Sequence, residues 1–204
     1  MEKVYDLPDA VLIDPDAMQP DSLVWVPEQT VIVLGQSNDA DGAVWTEMAY
    51  ADGIPVIKRP SGGQTVILTP NTVVISVRLI SERLENPRVY FSQVNDIIIK
   101  TLRDMEVKNL GQQGISDVTI GEKKILGSSI YRKKNLVFYH AVLNVAESPD
   151  FIGKYLKHPS KEPEYRAGRR HEDFVTSIRE SGYGFTPEEI KEALEQAFTA
   201  TRPD

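Results

Sequence analysis

The sequence predicts an α+β fold with a mixed, mainly antiparallel sheet and flanking helices. Three observations predict it. Short runs rich in Val, Ile and Leu recur between residues 22 and 145, separated by Gly, Pro, Asn or paired Lys, as strands and turns require. Two longer stretches, 86–105 and 187–199, carry apolar residues at helical spacing. The elements do not alternate in the βαβ order of a parallel sheet, and the strands after the first long helix read as an antiparallel meander.

Taken in order, the first twenty residues, with Pro8, Pro15 and Pro20 among acidic residues, read as an irregular segment with at most one short strand around Val11–Ile13. SLVWV (22–26) and TVIVLG (30–35) are strands about a Pro27-Glu28-Gln29 turn. Residues 42–52, GAVWTEMAYAD, hold helix formers and stop at Gly53, which predicts a short helix. IPVIKR (54–59), QTVIL (64–68) and TVVISVRL (72–79) follow as strands, with turns at Ser61-Gly62-Gly63 and Thr69-Pro70-Asn71. In the helix over 86–105, Val89, Val94, Ile97, Ile98, Leu102 and Met105 form a face to pack on a sheet. VKNLG (107–111), ISDVTI (115–120), KKILGSSIYR (123–132) and NLVFYHAVLNV (135–145) make the meander, turning at Gly121-Glu122 and Lys133-Lys134. A short helix at about 150–156, a polar segment over 157–172, a short helix from His171 and a helix over 187–199 opened by Thr186-Pro187 complete the chain.

With 204 residues, 41% of them hydrophobic and 26% charged, the chain has the length and composition of one globular domain, expected over 1–204. No apolar run approaches the roughly 18 residues that span a bilayer, and MEKVYDLPDA lacks a signal-peptide pattern, so a cytoplasmic protein without a membrane partner is expected. A net charge of −7 opposes general nucleic-acid binding. Local basic clusters, Lys58-Arg59, Lys123-Lys124, Arg132-Lys133-Lys134 and Arg169-Arg170, can still meet a small anion. The absence of cysteine removes disulfides, thiolate metal sites and any thiol nucleophile.

Several residues can carry chemistry. In VIKRPSGGQTVIL, Gly62 and Gly63 follow Arg59; they either turn a hairpin or let backbone N–H groups close on an anion that Arg59 would also meet. In GEKKILGSS, strand alternation puts Lys124 and Leu126 on one face and Lys123 and Ile125 on the other. One lysine then points inward, where Gly127 and Ser128 leave room for a ligand, unless the stretch is a solvated hairpin end. Asp117, among apolar residues in ISDVTI, can hold Mg²⁺ or orient a charged partner. His140, in VFYHAVL, is a core histidine or a site residue. Arg169, Arg170 and His171 read as a loop or helix start.

In order along the chain, these stretches resemble the family of lipoate–protein ligases and octanoyltransferases, which includes the catalytic domain of biotin protein ligases. TVIVLGQSNDA is similar to the family's strand ending in Gly-Arg-x-Gln-Asn. KRPSGGQTVIL is similar to Arg-Arg-x-Ser-Gly-Gly-Gly-Ala-Val-Tyr-His-Asp. ISDVTIGEKKILGSSIYR resembles Asn-Asp-Leu followed by Gly-x-Lys-Ile-x-Gly-Ser-Ala, YHAVLNV resembles His-His-Gly-Thr-Leu-Leu, and PEYRAGRRHEDFVTSI resembles a segment found after these strands.

The resemblance implies a catalytic domain related to the class II aminoacyl-tRNA synthetase core. It implies activation of lipoate or octanoate with ATP and Mg²⁺ to the acyl-adenylate, then acyl transfer to a carrier-domain lysine. Lys124 would be catalytic, stabilising charge on carboxylate and phosphate oxygens. Arg59, Ser61, Gly62, Gly63, Gln64, Gly127, Ser128 and His140 would bind substrate or adenylate, and Asp117 would meet the metal. The implied partners are a lipoyl carrier domain, of a 2-oxoacid dehydrogenase acyltransferase or a glycine-cleavage H-type protein, and a separate accessory ligase subunit, because the family's C-terminal accessory domain is not expected here.

The sequence also departs from the pattern. The third signature Gly is Gln64, the Ala is Thr65, Tyr-His-Asp is Ile67-Leu68-Thr69, the Asn before Asp117 is Ser116 and the early Arg is Gln36. The cysteine that carries the acyl group in family octanoyltransferases has no counterpart, and neither does the Gly-Arg-Gly-Arg loop of biotin protein ligases. The alternative reading is a non-catalytic member that binds a lipoyl or acyl-adenylate group or a lipoylated protein.

Overall fold

The computed structural model describes residues 5–14, 21–81, 83 and 85–201. Pro15, Pro20 and the rest of 15–20, expected to be irregular, lie outside the described residues. In chain order the elements are β1 (Ser22–Trp25), β2 (Val31–Leu34), α1 (Ala40–Ala43), α2 (Thr46–Ala51), β3 (Val56–Lys58), β4 (Val66–Leu68), β5 (Thr72–Ile80), α3 (Pro87–Asp104), β6 (Leu110–Gln113), β7 (Asp117–Ile120), β8 (Lys123–Lys133), β9 (Leu136–Asn144), α4 (Pro149–Tyr155), α5 (His171–Phe174) and α6 (Pro187–Ala200), with 3-10 turns at Pro8–Ile13 and Glu164–Arg166.

Two sheets form, a six-stranded one in the order β1-β5-β9-β8-β7-β6 and a three-stranded one in the order β3-β2-β4. The larger is antiparallel throughout and contains the meander β6 to β9 that the sequence predicts. Strand alternation divides its residues between two apolar layers. Val73, Ile75 and Val77 of β5 pack with Ile98 and Leu102 of α3 and Leu194 of α6, while Val74 faces Val31, Val33 and Leu68 of the small sheet. On the small sheet's other side, Ile32, Leu34 and Ile67 pack with Val44, Ala49, Tyr155 and Leu156. Because β2 is covered on both faces, all four of its residues are buried.

The three helices α3, α4 and α6 start as local chemistry dictates. Asn86, Ser148 and Thr186 accept a hydrogen bond from a first-turn N–H, and Pro87, Pro149 and Pro187 follow at the first helical position. Proline there costs no hydrogen bond and presets φ.

The structure corrects the predicted element layout in four places. β3 and β4 are not a hairpin: β2 lies between them, parallel to β3 and antiparallel to β4. The helical connection through α1 and α2 returns the chain to the start of β2, as a parallel neighbour requires. A βαβ unit therefore does exist here. The predicted helix over 42–52 is two short ones, and β1 and β2, close in sequence, enter different sheets. Around Val11–Ile13 there is a 3-10 turn from Pro8 to Ile13 rather than a strand.

That turn buries Asp9 completely. Its carboxylate accepts the Tyr5 hydroxyl at 2.7 Å and the Ser76 hydroxyl at 2.6 Å. Burial raises its pKa, against the lowering effect of these two bonds. A carboxyl with a raised folded-state value binds its proton more tightly folded than unfolded. The stability it contributes is present at acid pH and is lost as the pH rises through that folded value. Asp9→Asn, which keeps the shape and removes the ionisation, should therefore gain thermal stability relative to wild type as pH rises from about 3 to about 7. Melting curves of both proteins across that range check this.

Candidate functional site

The loop between β3 and β4 is organised from within. The Arg59 guanidinium, 5% exposed, donates to the Ser61 hydroxyl at 3.0 Å and to the carbonyls of Val33 at 3.2 Å, Gly62 at 2.8 Å and Gln64 at 2.7 Å. Ser129 also donates to Gly62 O, at 2.9 Å, and Gln36 N to Ser61 O, at 2.9 Å. In a planar trans peptide the C=O and N–H point opposite ways. With the carbonyls of Ser61, Gly62 and Gln64 so held, the N–H groups of Gly62, Gly63 and Thr65 turn away from those partners, and Gly63 and Thr65 stand on a cavity wall. Gly63 has φ +86°, and a Cβ on Gly35 would stand 2.0 Å from Gly63 O, so both positions need glycine. Burial lowers the Arg59 pKa to about 10, which leaves it charged, and among the described residues no carboxylate pairs with it. Its charge therefore adds to the field of the loop.

Opposite the loop, β8 carries a bulge where the pairing Val118↔Leu126 shifts to Thr119↔Lys124. Ile125 and Leu126 both enter the core beneath α3 and α6. Lys124 thus faces away from Leu126, which corrects the simple alternation, and points into the cavity. Its ammonium stands 2.8 Å from Asp117 Oδ1, and Tyr165 donates to Asp117 Oδ2 at 2.8 Å. A Cβ on Gly127 would lie 2.8 Å from Lys124 Nζ, so Gly127 makes the room that Lys124 uses. Lys123 is exposed and its ammonium donates to Glu172 O at 3.3 Å.

Both features border one cavity of about 880 Å³, within the range of small-molecule sites. Its floor is read from the sheet register. Gly127 pairs with Val142 and Val142 with Val74, an apolar row crossing from β8 to β5. The next row, Ser129, His140 and Ser76, is polar. Leu68 and Val33 form the apolar roof. His140 Nε2 lies 2.5 Å from Ser61 Oγ, and burial, with Arg59 nearby, lowers its pKa to about 3. His140 is therefore neutral at ordinary pH. At the Lys124 end, burial first, then Arg166, His158 and Lys124, push His171 down to about 4.

Most of the residues singled out in the sequence converge here. Lys124, Asp117, Arg59, Gly63, Gln64, Gly127, Ser128 and His140 line the cavity. Ser61 is buried behind it, holding Arg59 and His140, and Gly62 gives its carbonyl to Arg59 and Ser129. The Ser128 hydroxyl is committed to Ser116 O, at 2.8 Å. Tyr165 and Gly35 carry roles the sequence reading did not assign. Tyr165 lies far along the chain from Asp117, and the stretch that contains it gives a resemblance but no role for the tyrosine, whereas Gly35 ends an apolar strand, where a close approach is a standard reading of glycine. Among the described residues, no three His, Cys, Asp or Glu side chains stand together to hold a metal ion.

Residues 9–199 match the model of the family described as "Lipoyl protein ligase A/B catalytic domain". The chain belongs to this family. An Aeropyrum pernix protein provisionally named a lipoate-protein ligase A is 33% identical over 129 residues, 63% of this chain and 47% of that protein. An octanoyltransferase of Photorhabdus laumondii is 27% identical over 132 residues, 64% of this chain and 60% of that one. The matched region is thus about half to three-fifths of these relatives. Lipoate-protein ligase A subunit 1 of Thermoplasma acidophilum is 22% identical over 179 residues, 83% of this chain and 68% of that one. In fold, the chain is similar to a bi-partite lipoate protein ligase of T. acidophilum, described with its E2 lipoyl domain, with a TM-score of 0.76 at 22% identity, covering 90% of this chain and 73% of the other. It is likewise similar to a lipoate-protein ligase A bound with ATP, with a TM-score of 0.71 at 22% identity, covering 86% and 72%. Lipoyl ligase family membership fits an anion-ready loop beside an apolar channel.

Because Gly35 meets a backbone oxygen rather than a side chain, Gly35→Ala cannot be relieved by a rotamer change. It should destabilise the protein by at least about 2 kcal/mol in chemical denaturation, with β2 and the Arg59 loop forced apart.

Proposed function

We propose that this chain is a lipoate–protein ligase, or the catalytic subunit of one, that activates lipoate or octanoate with ATP and transfers the acyl group to a lysine of a lipoyl carrier domain. The observation that carries this reading is the Lys124–Asp117 pair at one end of an apolar row that a glycine loop borders. An acid lying on Gly127, Val142 and Val74 has its carboxylate at the Lys124 ammonium. The row spans two strand spacings, about 10 Å, the reach of a medium-length acyl chain.

In the first step a carboxylate oxygen attacks the α-phosphorus of ATP, and pyrophosphate leaves. Lys124 would neutralise charge on both partners, and the outward N–H groups of the Arg59 loop would receive phosphate oxygens. In the second step the carrier amine attacks the acyl carbonyl and loses a proton, and AMP leaves. Lys124 would stay on the carbonyl oxygen as charge develops there. Asp117 and Tyr165 orient the ammonium, and neutral His140 keeps Ser61 and Arg59 in place. Magnesium accompanies ATP through its phosphates and retains water, so one protein carboxylate is sufficient for it; Asp117 is the residue that would meet it. The carrier would be the lipoyl domain of a 2-oxoacid dehydrogenase acyltransferase or a glycine-cleavage H-type protein. The likeness to the two-part Thermoplasma ligase supports a separate accessory subunit for adenylation. The Lys124 ammonium at the end of the apolar row supports an anionic ligand over a purely apolar one.

Mass spectrometry of a lipoyl domain incubated with the protein, lipoate, ATP and Mg²⁺ tests this, with lipoyl-AMP supplied in a parallel reaction. Transfer in either arm supports the reading, and transfer only from lipoyl-AMP assigns adenylation to a partner subunit. Lys124→Ala should lower transfer by about a thousandfold in a protein that still folds, the scale for one electrostatic stabiliser, with some loss of melting temperature because Asp117 loses its cation. Calorimetric binding of lipoyl-AMP without transfer would select the non-catalytic binding member instead.

A further inference from the structure

We infer that residues 5–13 form the end wall of the acyl channel and that Tyr5 and Leu7 set the longest chain it accepts, an inference that rests on the acyl-adenylate reading above. The row Gly127, Val142 and Val74 continues in register to Trp25, on edge strand β1. Past β1 the sheet has no further strand among the described residues, so a channel along this row would open at the sheet edge unless something covered it. The N-terminal segment covers it. Tyr5 and Leu7 both line the cavity and, like Trp25 and Val142, pack against the cluster of Val31, Val33, Ile57, Leu68 and Val74 between the sheets.

The wall is pinned, not merely laid down. Asp9, with no exposed surface, takes the Tyr5 hydroxyl on one oxygen and the Ser76 hydroxyl on the other. Ser76 stands two residues along β5 from Val74, on the same face, so the pin fixes the segment beside the last apolar residue of the row. Among the described residues Asp9 has no cationic partner, and burying a carboxyl in this way costs stability that a surface turn would not. The Tyr5 ring is thus held at its hydroxyl by Asp9 and packs against the apolar layer between the sheets. Tyr5 also lies within electrostatic reach of Arg59, so its effect on chain length is read from a shift in the preferred length and not from affinity at a single length.

Calorimetry with acyl-sulfamoyl adenosines, from hexanoyl to palmitoyl, tests the inference without requiring turnover. For the wild type, affinity should rise about fourfold per methylene while the chain still gains apolar cover, then fall once it meets the wall. Tyr5→Ala should move the tightest-binding chain longer by about two methylenes or more, and Leu7→Phe should move it shorter. Tyr5→Phe, which keeps the ring and loses only the bond to Asp9, should leave the preferred length unchanged while lowering the melting temperature. If Tyr5→Ala does not fold, Leu7→Phe decides. A wild-type preference that stays unmoved in the folded variants overturns the end wall and leaves the acyl-adenylate reading standing. A wild type that binds none of the analogues overturns both.

Discussion

The site depends on one buried cation. Arg59 spends its donors on the Val33 carbonyl, the Ser61 hydroxyl and the carbonyls of Gly62 and Gln64, and so defines a loop that has no regular structure of its own. A guanidinium is the one side chain that can do this, because its planar fork carries several donors and stays charged even when burial lowers its pKa. Carbonyls drawn inward leave N–H groups outward. The loop's readiness for an anion is therefore a by-product of how Arg59 is satisfied, and His140 and Gly35 serve the same arrangement from below and behind.

The two sheets divide the remaining work. The small sheet brings the loop and an apolar roof; the large sheet brings an apolar row, a polar row beside it and the lysine at its end. Each packs helices on its far side, and the layer between them holds both a small apolar core and the cavity. Lys124 illustrates the balance at its open end. Without ligand its charge is met by Asp117, itself fixed by Tyr165, so the ammonium is held in place and yet has a partner that an acid or phosphate can share.

What could be read from the sequence follows the range of the forces involved. Helix starts at Asn86, Ser148 and Thr186 are legible because a cap and a proline act within one turn. The meander from β6 to β9 is legible because neighbours in sequence are neighbours in the sheet. The order β3-β2-β4 is not, since nothing local says that a short helical pair will return the chain to run parallel beside β2. The glycine loop illustrates the limit: its residues can be named from sequence, but a hairpin and a crossover look alike until the third strand is placed between them. Tyr165 shows the same limit over a longer span, and Asp9 shows it for burial, because an acidic residue after a proline reads as surface.

The bulge in β8 has a consequence for the identity of the site's charge. Two lysines stand side by side at 123 and 124, alike in chemistry and intrinsic reach. In an unbroken ladder counted back from Gly127, Lys123 would look into the cavity and Lys124 toward the helices. One residue of slack, taken up where Ile125 and Leu126 both turn to the core, exchanges their destinations. The lysine that faces the cavity is thus selected by hydrophobic anchoring further along the strand, and the address of a lysine in this chain is written in its apolar neighbours.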